Sequence, residues 1–521
     1  MIRIRQVKVP VLKDNHDFIL KKICKLLNVK EVINYKIIKK SIDARDKNNI
    51  MFVYEFDVNC LNEDIILNKI KNKDVFKSIV KEYKLNVTKI INNRPIIVGS
   101  GPAGLFCAYM LASQGYKPLV IERGEKIEDR VKTVEEFFKN NKLNLNSNIQ
   151  FGEGGAGTFS DGKLNTLTSD KNNRQKKVFD IFVECGAPSE ILYLNKPHIG
   201  TDILRKVIIN MRNRIISMGG EFLYNSQVTD LIIENKKVRG VIINNKKQLL
   251  SDVVVLAIGH SARDTFYMLN SHNVLMKPKN FAVGVRIEHP REMIDRFQYG
   301  NYYKYLPSAS YKLTYQTKEN RSVYSFCMCP GGFVVNASSE EGRLCINGMS
   351  NYKRDEVNSN SALVVNVTTD DFNNELFGGL EFQRELEEKA YRLGGGYIPV
   401  QMYKDFVDGN ITSKLGDIMP NIKGKYKLSN LNEIFPSFIS DSLKEAIPVF
   451  GKRIKGFDRD DAVLLGVESR TSSPVVIVRD DNFNSSVIGL YPCGEGAGYA
   501  GGITTAAIDG IKVAEAICGS K

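Results

Sequence analysis

The sequence predicts an α/β fold: a parallel sheet covered by helices, with an α+β region in the middle of the chain and a small α+β domain of ferredoxin-like type before it. Three observations predict it. A strand, glycine-rich turn, helix and second strand follow one another over residues 95–122, a fully apolar run from Val253 to Ile258 ends at Gly259, and charge is split unevenly along the chain. At ~150 residues per domain, 521 residues suggest about three domains. A composition of 43% hydrophobic and 25% charged residues is that of an ordinary globular protein. The expected divisions are 1–92, 93–270, 271–455 and 456–521, the last returning to the sheet that the second opens.

The N-terminal unit is set apart by its charge. Residues 1–94 carry 21 Lys or Arg against 11 Asp or Glu, a net of +10 out of the chain's +14. The pattern reads strand (Ile2 to Val9), helix (Asp17 to Leu27), strand (Asn34 to Ile42), strand (Ile50 to Asn59), then a Lys-rich helical stretch to about Lys89. Such a basic module could meet RNA, an acidic protein or an anionic surface. The plainer reading, solvated Lys on every face, is preferred because no aromatic stacking motif of the RNA-recognition type appears. The apolar runs fall short of the ~18–20 residues of a membrane-spanning helix, and the start MIRIRQVKVP has no apolar signal region. Nine cysteines without a C-x-x-C pair or a Cys/His cluster fit reduced thiols in a cytoplasm and no metal site. Cys327 and Cys329, at i and i+2 of a strand-like run, should share one face and serve as small buried hydrophobes.

The chemistry begins at Arg94. Pro95 to Val98 is a short apolar strand, Gly99-Ser100-Gly101-Pro102-Ala103-Gly104 follows at once, and an Ala- and Leu-bearing helix runs from Leu105 to Gln114. A second strand, Pro118 to Ile121, ends in Glu122 and Arg123, with the acid 18 residues beyond the last glycine. This is G-x-G-x-x-G in the context a dinucleotide site requires. Gly99 makes the tight turn, Gly101 lets backbone approach a pyrophosphate, Gly104 lets helix pack on strand, and Glu122 accepts from ribose hydroxyls. Three later segments extend the site. Phe151-Gly152-Glu153-Gly154-Gly155-Ala156-Gly157-Thr158, with Lys163 behind it, has the small residues that wrap an extended cofactor. A helix from Asp202 to Ser217 leads to strands at Glu221 and Val228, a hairpin near Asn235, and the buried strand ending at Gly259. Near the end, Cys493-Gly494-Glu495-Gly496 precedes Gly501-Gly502-Ile503, which opens a last helix.

In this order, fingerprint with ribose acid, meander with buried strand, and C-terminal glycine-acid strand with helix, the chain resembles the FAD-binding domain of the glutathione-reductase and hydroxybenzoate-hydroxylase flavoprotein superfamily. More closely, FGEGGAGTFSDGKL, HIGTD, GVESRTSSPV and CGEGAGYAGGI are together similar to a bacterial family of uncharacterised FAD-dependent dehydrogenases with a basic N-terminal domain. The resemblance implies FAD as cofactor, a Rossmann-like FAD-binding domain, and an inserted domain covering the flavin. In the superfamily the C-terminal acid, usually Asp, binds a ribityl hydroxyl; here it is Glu495, one methylene longer. Gly501 and Gly502, bare N–H groups before a helix, suit the pyrimidine edge of the flavin, where negative charge builds on reduction.

Strand-like runs at Phe281 to Ile287 and Ser322 to Met328, a turn at Pro330-Gly331-Gly332 and a helix through Glu381 to Leu393 make up the middle region. Arg286, Cys329 and Arg470 are the candidate catalytic side chains. Arg470 could bind an anionic substrate or the flavin, or simply pair with Glu468. His198 and His260 flank cofactor segments and are expected to be hydrogen-bonded rather than proton donors. No second G-x-G-x-x-G on a second βαβ unit is found, so NAD(P)H would bind transiently, or a small-molecule substrate itself reduces the flavin. The leading expectation is an FAD-dependent oxidoreductase transferring hydride between flavin N5 and an organic substrate or NAD(P)H. A flavin monooxygenase, an RNA-modifying flavoprotein docking RNA on the basic domain, and a non-enzymatic flavin redox sensor are the alternatives.

Overall fold

The computed structural model describes all residues except 80, 81, 90, 92, 167–169, 520 and 521. At the N-terminus, β1 (Ile2–Pro10), β2 (Asn34–Asp43), β3 (Met51–Asn59) and β4 (Val75–Lys77) form an antiparallel sheet in the order β2-β3-β1-β4, with helices His16–Leu27 and Glu63–Lys69. The strand order is that of a ferredoxin-like fold. Alternation explains the sheet: Ile2, Ile4, Val7 and Val9 are buried while Arg3 and Lys8 point away, a bulge after Ile4 correcting the register. The Lys-rich stretch after Asn59 is not one long helix. It breaks at Ile70, β4 follows, and part of the expected helix lies outside the described residues. The free edge of β2 is partly covered by the segment at Leu194, through Lys40 N–H to Tyr193 O at 2.7 Å and Asn195 N–H to Lys40 O at 2.9 Å.

The parallel sheet contains β5 (Ile96–Val98), β6 (Leu119–Ile121), β7 (Glu221–Leu223), β11 (Val254–Leu256) and β24 (Leu490–Pro492), ordered β24-β11-β5-β6-β7. The two ends of the chain's motif set therefore meet in one sheet: β11 pairs in parallel with β5 on one side and β24 on the other. Val254, Val255 and Leu256 are fully buried, which at ~1.5–3 kcal/mol per side chain holds this strand in the interior of the sheet, flanked on both sides. Helix Pro102–Ser113 is apolar all round because it is sandwiched, packing on the sheet and on helix Ile503–Cys518. Gly510 permits that close crossing, since a Cβ there would stand 2.2 Å from Ala103 O. Opposite lies a meander of β8 (Val228–Glu234), β9 (Lys237–Ile243) and β10 (Lys247–Leu250). These three layers are the Rossmann-like part of the fold.

After β12 (Met276–Pro278) the chain builds a seven-stranded mixed sheet from β13 (Phe281–Pro290), β14 (Thr314–Gln316), β15 (Ser322–Cys329), β18 (Asn358–Val367), β19 (Ile398–Met402), β21 (Tyr426–Leu428) and β22 (Val463–Glu468). A smaller sheet holds β16 (Phe333–Asn336), β17 (Ile346–Met349) and β20 (Ile422–Lys423). The turn at Pro330-Gly331 joins strands of different sheets, a corner rather than a hairpin. The inserted unit also runs past the expected limit at 455, because β22 pairs with β13 and β19. The chain then returns through β23 (Val475–Ile477), which pairs with β12. No described helix is long and apolar enough to cross a membrane, and no described group of His, Cys, Asp or Glu side chains could hold a metal ion.

Candidate active site

Between the carboxyl ends of the parallel strands and the inserted sheet lies a cavity of about 570 Å³, within the range of small-molecule and cofactor sites. Its floor carries Gly99, Gly101, Pro102 and Ala103 from the first turn; Gly501, Gly502 and Ile503 close the far end. The three glycines of the first turn have separate duties. Gly99 has φ +100° and its Cβ would meet Ala257 O at 2.3 Å; a Cβ on Gly104 would meet Gly99 O at 2.0 Å. Both are required by the protein's own packing. Gly101 is different: a Cβ there would meet only Gly155 Cα, at 3.8 Å. The space it keeps open is the ligand's.

Glu122 lines the cavity and is held by four donors: Ser100 N–H (2.9 Å) and Oγ–H (2.7 Å) on one oxygen, the N–H groups of Gly124 and Gly152 (both 3.0 Å) on the other. The acid is thus pre-positioned. Arg123 lies over the Phe151 ring at 4.3 Å and forms a two-point ion pair with Asp264. The glycine-rich loop is pinned by a residue the sequence did not single out, Arg130. Fully buried, it donates to the carbonyls of Asn148, Ile149, Gly152, Glu153 and Gly155. The sequence signal was faint, one Arg among the apolar positions of helix Ile127–Asn140.

Most of the remaining expected cofactor residues come together. Gly155, Ala156, Gly157, Lys163, Val228, Gly259 and Glu495 all line the cavity. Gly104, Gly154, Thr158 and Gly494 do not. Gly104 packs helix on strand; Gly154 packs against Thr158; and the Gly494 N–H donates to Asp509 at 2.7 Å. At the last helix, Gly501 N–H donates to Thr505 Oγ1 (3.2 Å), so it is not bare; Gly502 and the first helical N–H groups carry the terminal positive potential. The Glu495 carboxyl group accepts no hydrogen bond among the described residues, and burial pushes its pKa up to about 7, opposed by the Lys279 charge.

The three candidate catalytic side chains fare differently. Arg470 lines the cavity, but its pairing with Glu468 does not form: it grips Glu387 (2.8 and 2.7 Å) and donates to Ser261 Oγ (3.1 Å) and Ser339 Oγ (2.6 Å). Glu387 also takes two bonds from the buried Arg263, and the two guanidinium groups hold its carboxyl far below the usual range despite burial. Arg286 is fully buried and does not reach the cavity. It braces two residues that do, Glu468 (2.8 and 3.1 Å) and Asn347 (2.9 Å), and donates to Cys327 O (3.2 Å). Cys329 lines the cavity and is buried. Cys327 is neither buried nor on the same footing: a bulge between Phe326 and Cys329 turns it to φ +41°, and its side chain is exposed toward the cavity. The two-residue alternation expected of a regular strand fails at that bulge. Enclosure by the cavity walls keeps bulk water away from both thiols, though Cys327 is open to the cavity itself, and raises them to about 12 and 11.

His260 also lines the cavity, with Nδ1 3.0 Å from Ser261 Oγ; burial, then the Arg470 and Arg263 charges, push its pKa down to about 3. It is a neutral imidazole at pH 7, not a proton donor. His198 lies outside the cavity, its Nε2 donating to Tyr352 O at 2.8 Å.

These features fit FAD on the chain's own evidence. The room left at Gly101 would take a pyrophosphate, Glu122 is fixed at the cavity edge as a dinucleotide site requires, and the Glu495 carboxyl lacks donors of the kind a polyhydroxylated chain would supply. Comparison with known proteins agrees. Residues 280–471 match the family described as FAD-dependent protein, C-terminal domain-like; residues 97–153 match an NAD(P)-binding Rossmann-like domain; residues 1–59 match a domain of unknown function. An uncharacterized protein of Clostridium beijerinckii is 48% identical over 527 residues, covering 99% of this chain and 98% of that one. Thiamine thiazole synthase of Aeropyrum pernix is 23% identical over 180 residues, 34% of this chain and 54% of that one. Among solved structures, glycerol-3-phosphate dehydrogenase from Bacillus halodurans complexed with FAD aligns over 81% of this chain and 64% of its own, at 11% identity and a TM-score of 0.35. With a Rossmann-like segment at 97–153 and an FAD-dependent C-terminal-type domain at 280–471 both matched, and a relative 48% identical over 99% of the chain, the chain belongs to the FAD-dependent oxidoreductases.

Proposed function

We propose that the chain transfers a hydride between an organic small molecule and flavin N5, the substrate lying between the flavin and the inserted sheet, with NAD(P)H as a transient donor or the substrate itself as reductant. The observation that supports this is the two-sided cavity. Its floor is the nucleotide cradle and its roof is the inserted unit, which brings Phe326, Cys327, Cys329 and Glu468 from the seven-stranded sheet and Asn347 from the smaller one. A cofactor of purely structural role would not need a second, polar wall. Bound FAD supplies a two-electron carrier.

The chain's own groups orient and stabilise. The N-terminus of helix Ile503–Cys518 directs its free N–H groups and dipole at one end of the cavity, which favours negative charge there. The Arg286–Glu468 pair holds the roof rigid from behind, and Cys329 and Ile346 exclude water. His260 stays neutral at pH 7 and so adds hydrogen-bonding groups to the cavity, not a charge. The test is anaerobic titration of the FAD-loaded protein with NADH, NADPH and a panel of alcohols, amines and hydroxy acids, read at the flavin absorbance band. Stoichiometric bleaching by one of them is expected. A flavin that stays oxidised with all of them refutes the reading.

A further inference from the structure

We infer that Lys163 and Asn347 form an anion subsite in the roof of the cavity, and that the substrate is an organic carboxylate held there. This deepens the reading of the cavity as an oxidoreductase site and rests on it. Three permanent cations line the cavity: Arg123, Lys163 and Arg470. Arg123 is engaged by both oxygens of Asp264, and Arg470 by both oxygens of Glu387 and by two serine hydroxyls. Lys163 has no hydrogen-bond acceptor among the described residues. Its one ion pair, with Asp161, is 3.8 Å long, and that carboxylate is already held by Arg354 and by Ser350 Oγ–H.

Asn347 supplies the second donor. Its Oδ1 accepts from Arg286 Nη2 (2.9 Å) and from Gly348 N–H (2.8 Å), which fixes the amide's orientation. Its Nδ2 then has no acceptor among the described residues, though the residue lines the cavity. Lys163 and Asn347 belong to one neighbourhood. The Lys163 charge acts on both Cys327 and Cys329, Arg286 bonds the Cys327 carbonyl, and a Cβ on Gly348 would lie 2.7 Å from Cys329 Sγ. An ammonium and an amide N–H₂ without acceptors, set among neutral thiols, is a donor set that lacks its anion; a carboxylate offers one oxygen to each. Arg286 is then a positioning residue acting through Asn347.

The test is titration of the FAD-loaded protein with acetate, pyruvate and benzoate, against acetamide and benzamide, following the flavin's visible band. The carboxylates should shift the band saturably and the amides should not. Lys163→Met and Asn347→Asp should each raise the benzoate Kd at least tenfold in protein kept saturated with added FAD, and Lys163→Arg should retain most of the affinity. No response to any carboxylate, equal binding of acids and amides, or an unchanged Kd in Lys163→Met overturns the subsite; loss of FAD from Lys163→Met also overturns it, placing the lysine on the flavin instead. Because binding requires no turnover, a protein that binds carboxylates but takes up no electrons would keep the subsite and lose the oxidoreductase reading.

Discussion

Replacing Gly101 by Ala separates ligand space from folding space within one turn. At Gly101 φ is −72° and ψ −178°, a conformation any residue adopts, and the new methyl meets only Gly155 Cα at ordinary contact distance, 3.8 Å. The cost to the apoprotein is therefore within about 1 kcal/mol of zero. The methyl occupies the approach of the pyrophosphate, however, and losing two charge-assisted N–H contacts at ~1.5–3 kcal/mol each lowers FAD affinity by about 10²- to 10⁴-fold. Gly104→Ala is the counterpart. Its methyl falls 2.0 Å from Gly99 O, so backbone must move, at ~1–3 kcal/mol or more. The assay is the flavin-to-protein absorbance ratio after desalting, together with apoprotein melting curves. Gly101→Ala should be colourless and as stable as apo wild type, and Gly104→Ala should melt lower. A Gly101→Ala protein that keeps its full complement of flavin would refute the placement of the pyrophosphate.

Two further outcomes follow from the buried charges. Arg470→Ala strips one of the two guanidinium partners from Glu387, itself 0% exposed, and with Arg263 still in place should cost about 1.5–3 kcal/mol of stability, read as a fall in the denaturant midpoint; an unchanged midpoint would contradict a structural role for the pair. The buried histidines should make the apoprotein acid-sensitive between pH 6.5 and 4.5. His198, His260 and His289, lowered by burial to about 4, 3 and 4, stay neutral in the fold while the unfolded chain takes up protons below its ordinary 6.5, so each loses about 1.4 kcal/mol per pH unit. Burial raises Glu288 and Glu495 to about 8 and 7, and raises Glu153, Glu468 and Asp295 as well; these act in the opposite direction, since the folded state takes their protons first. Replacing His260 by Gln removes one histidine's share, so the variant should lose about 1.4 kcal/mol less per pH unit than its parent over that range. Equal pH slopes for the two in a chemical-denaturation series would contradict it.

The layout of the parallel sheet was legible because its signals are local: an apolar strand followed by G-x-G-x-x-G leaves few alternatives, and Val253 to Ile258 can only be a central strand. The N-terminal strands were legible for the same reason, by alternation. Long-range pairing was not. Arg470 sits two residues from Glu468, yet the structure gives Arg470 to Glu387 and Glu468 to Arg286, because β13 and β22 bring Arg286 alongside Glu468 while Ser469 and Arg470 turn toward helix Gly378–Gly394. Cys327 was misplaced by a single bulge, since one extra residue reverses the face on which a strand side chain appears. Arg130 was invisible because a guanidinium that caps five carbonyls of a loop has the same sequence signature as an ordinary helical Arg.

The central claim is that the first turn near Gly101 and the last helix at Ile503 embrace one FAD molecule under a roof of inserted strands. An experimental structure of the FAD complex tests it most directly. The account predicts the pyrophosphate against Gly101, the ribose at Glu122, and the isoalloxazine between Gly502 and the Cys327–Asn347 wall. An isoalloxazine pointing away from that wall, into solvent or toward the N-terminal sheet, would contradict it.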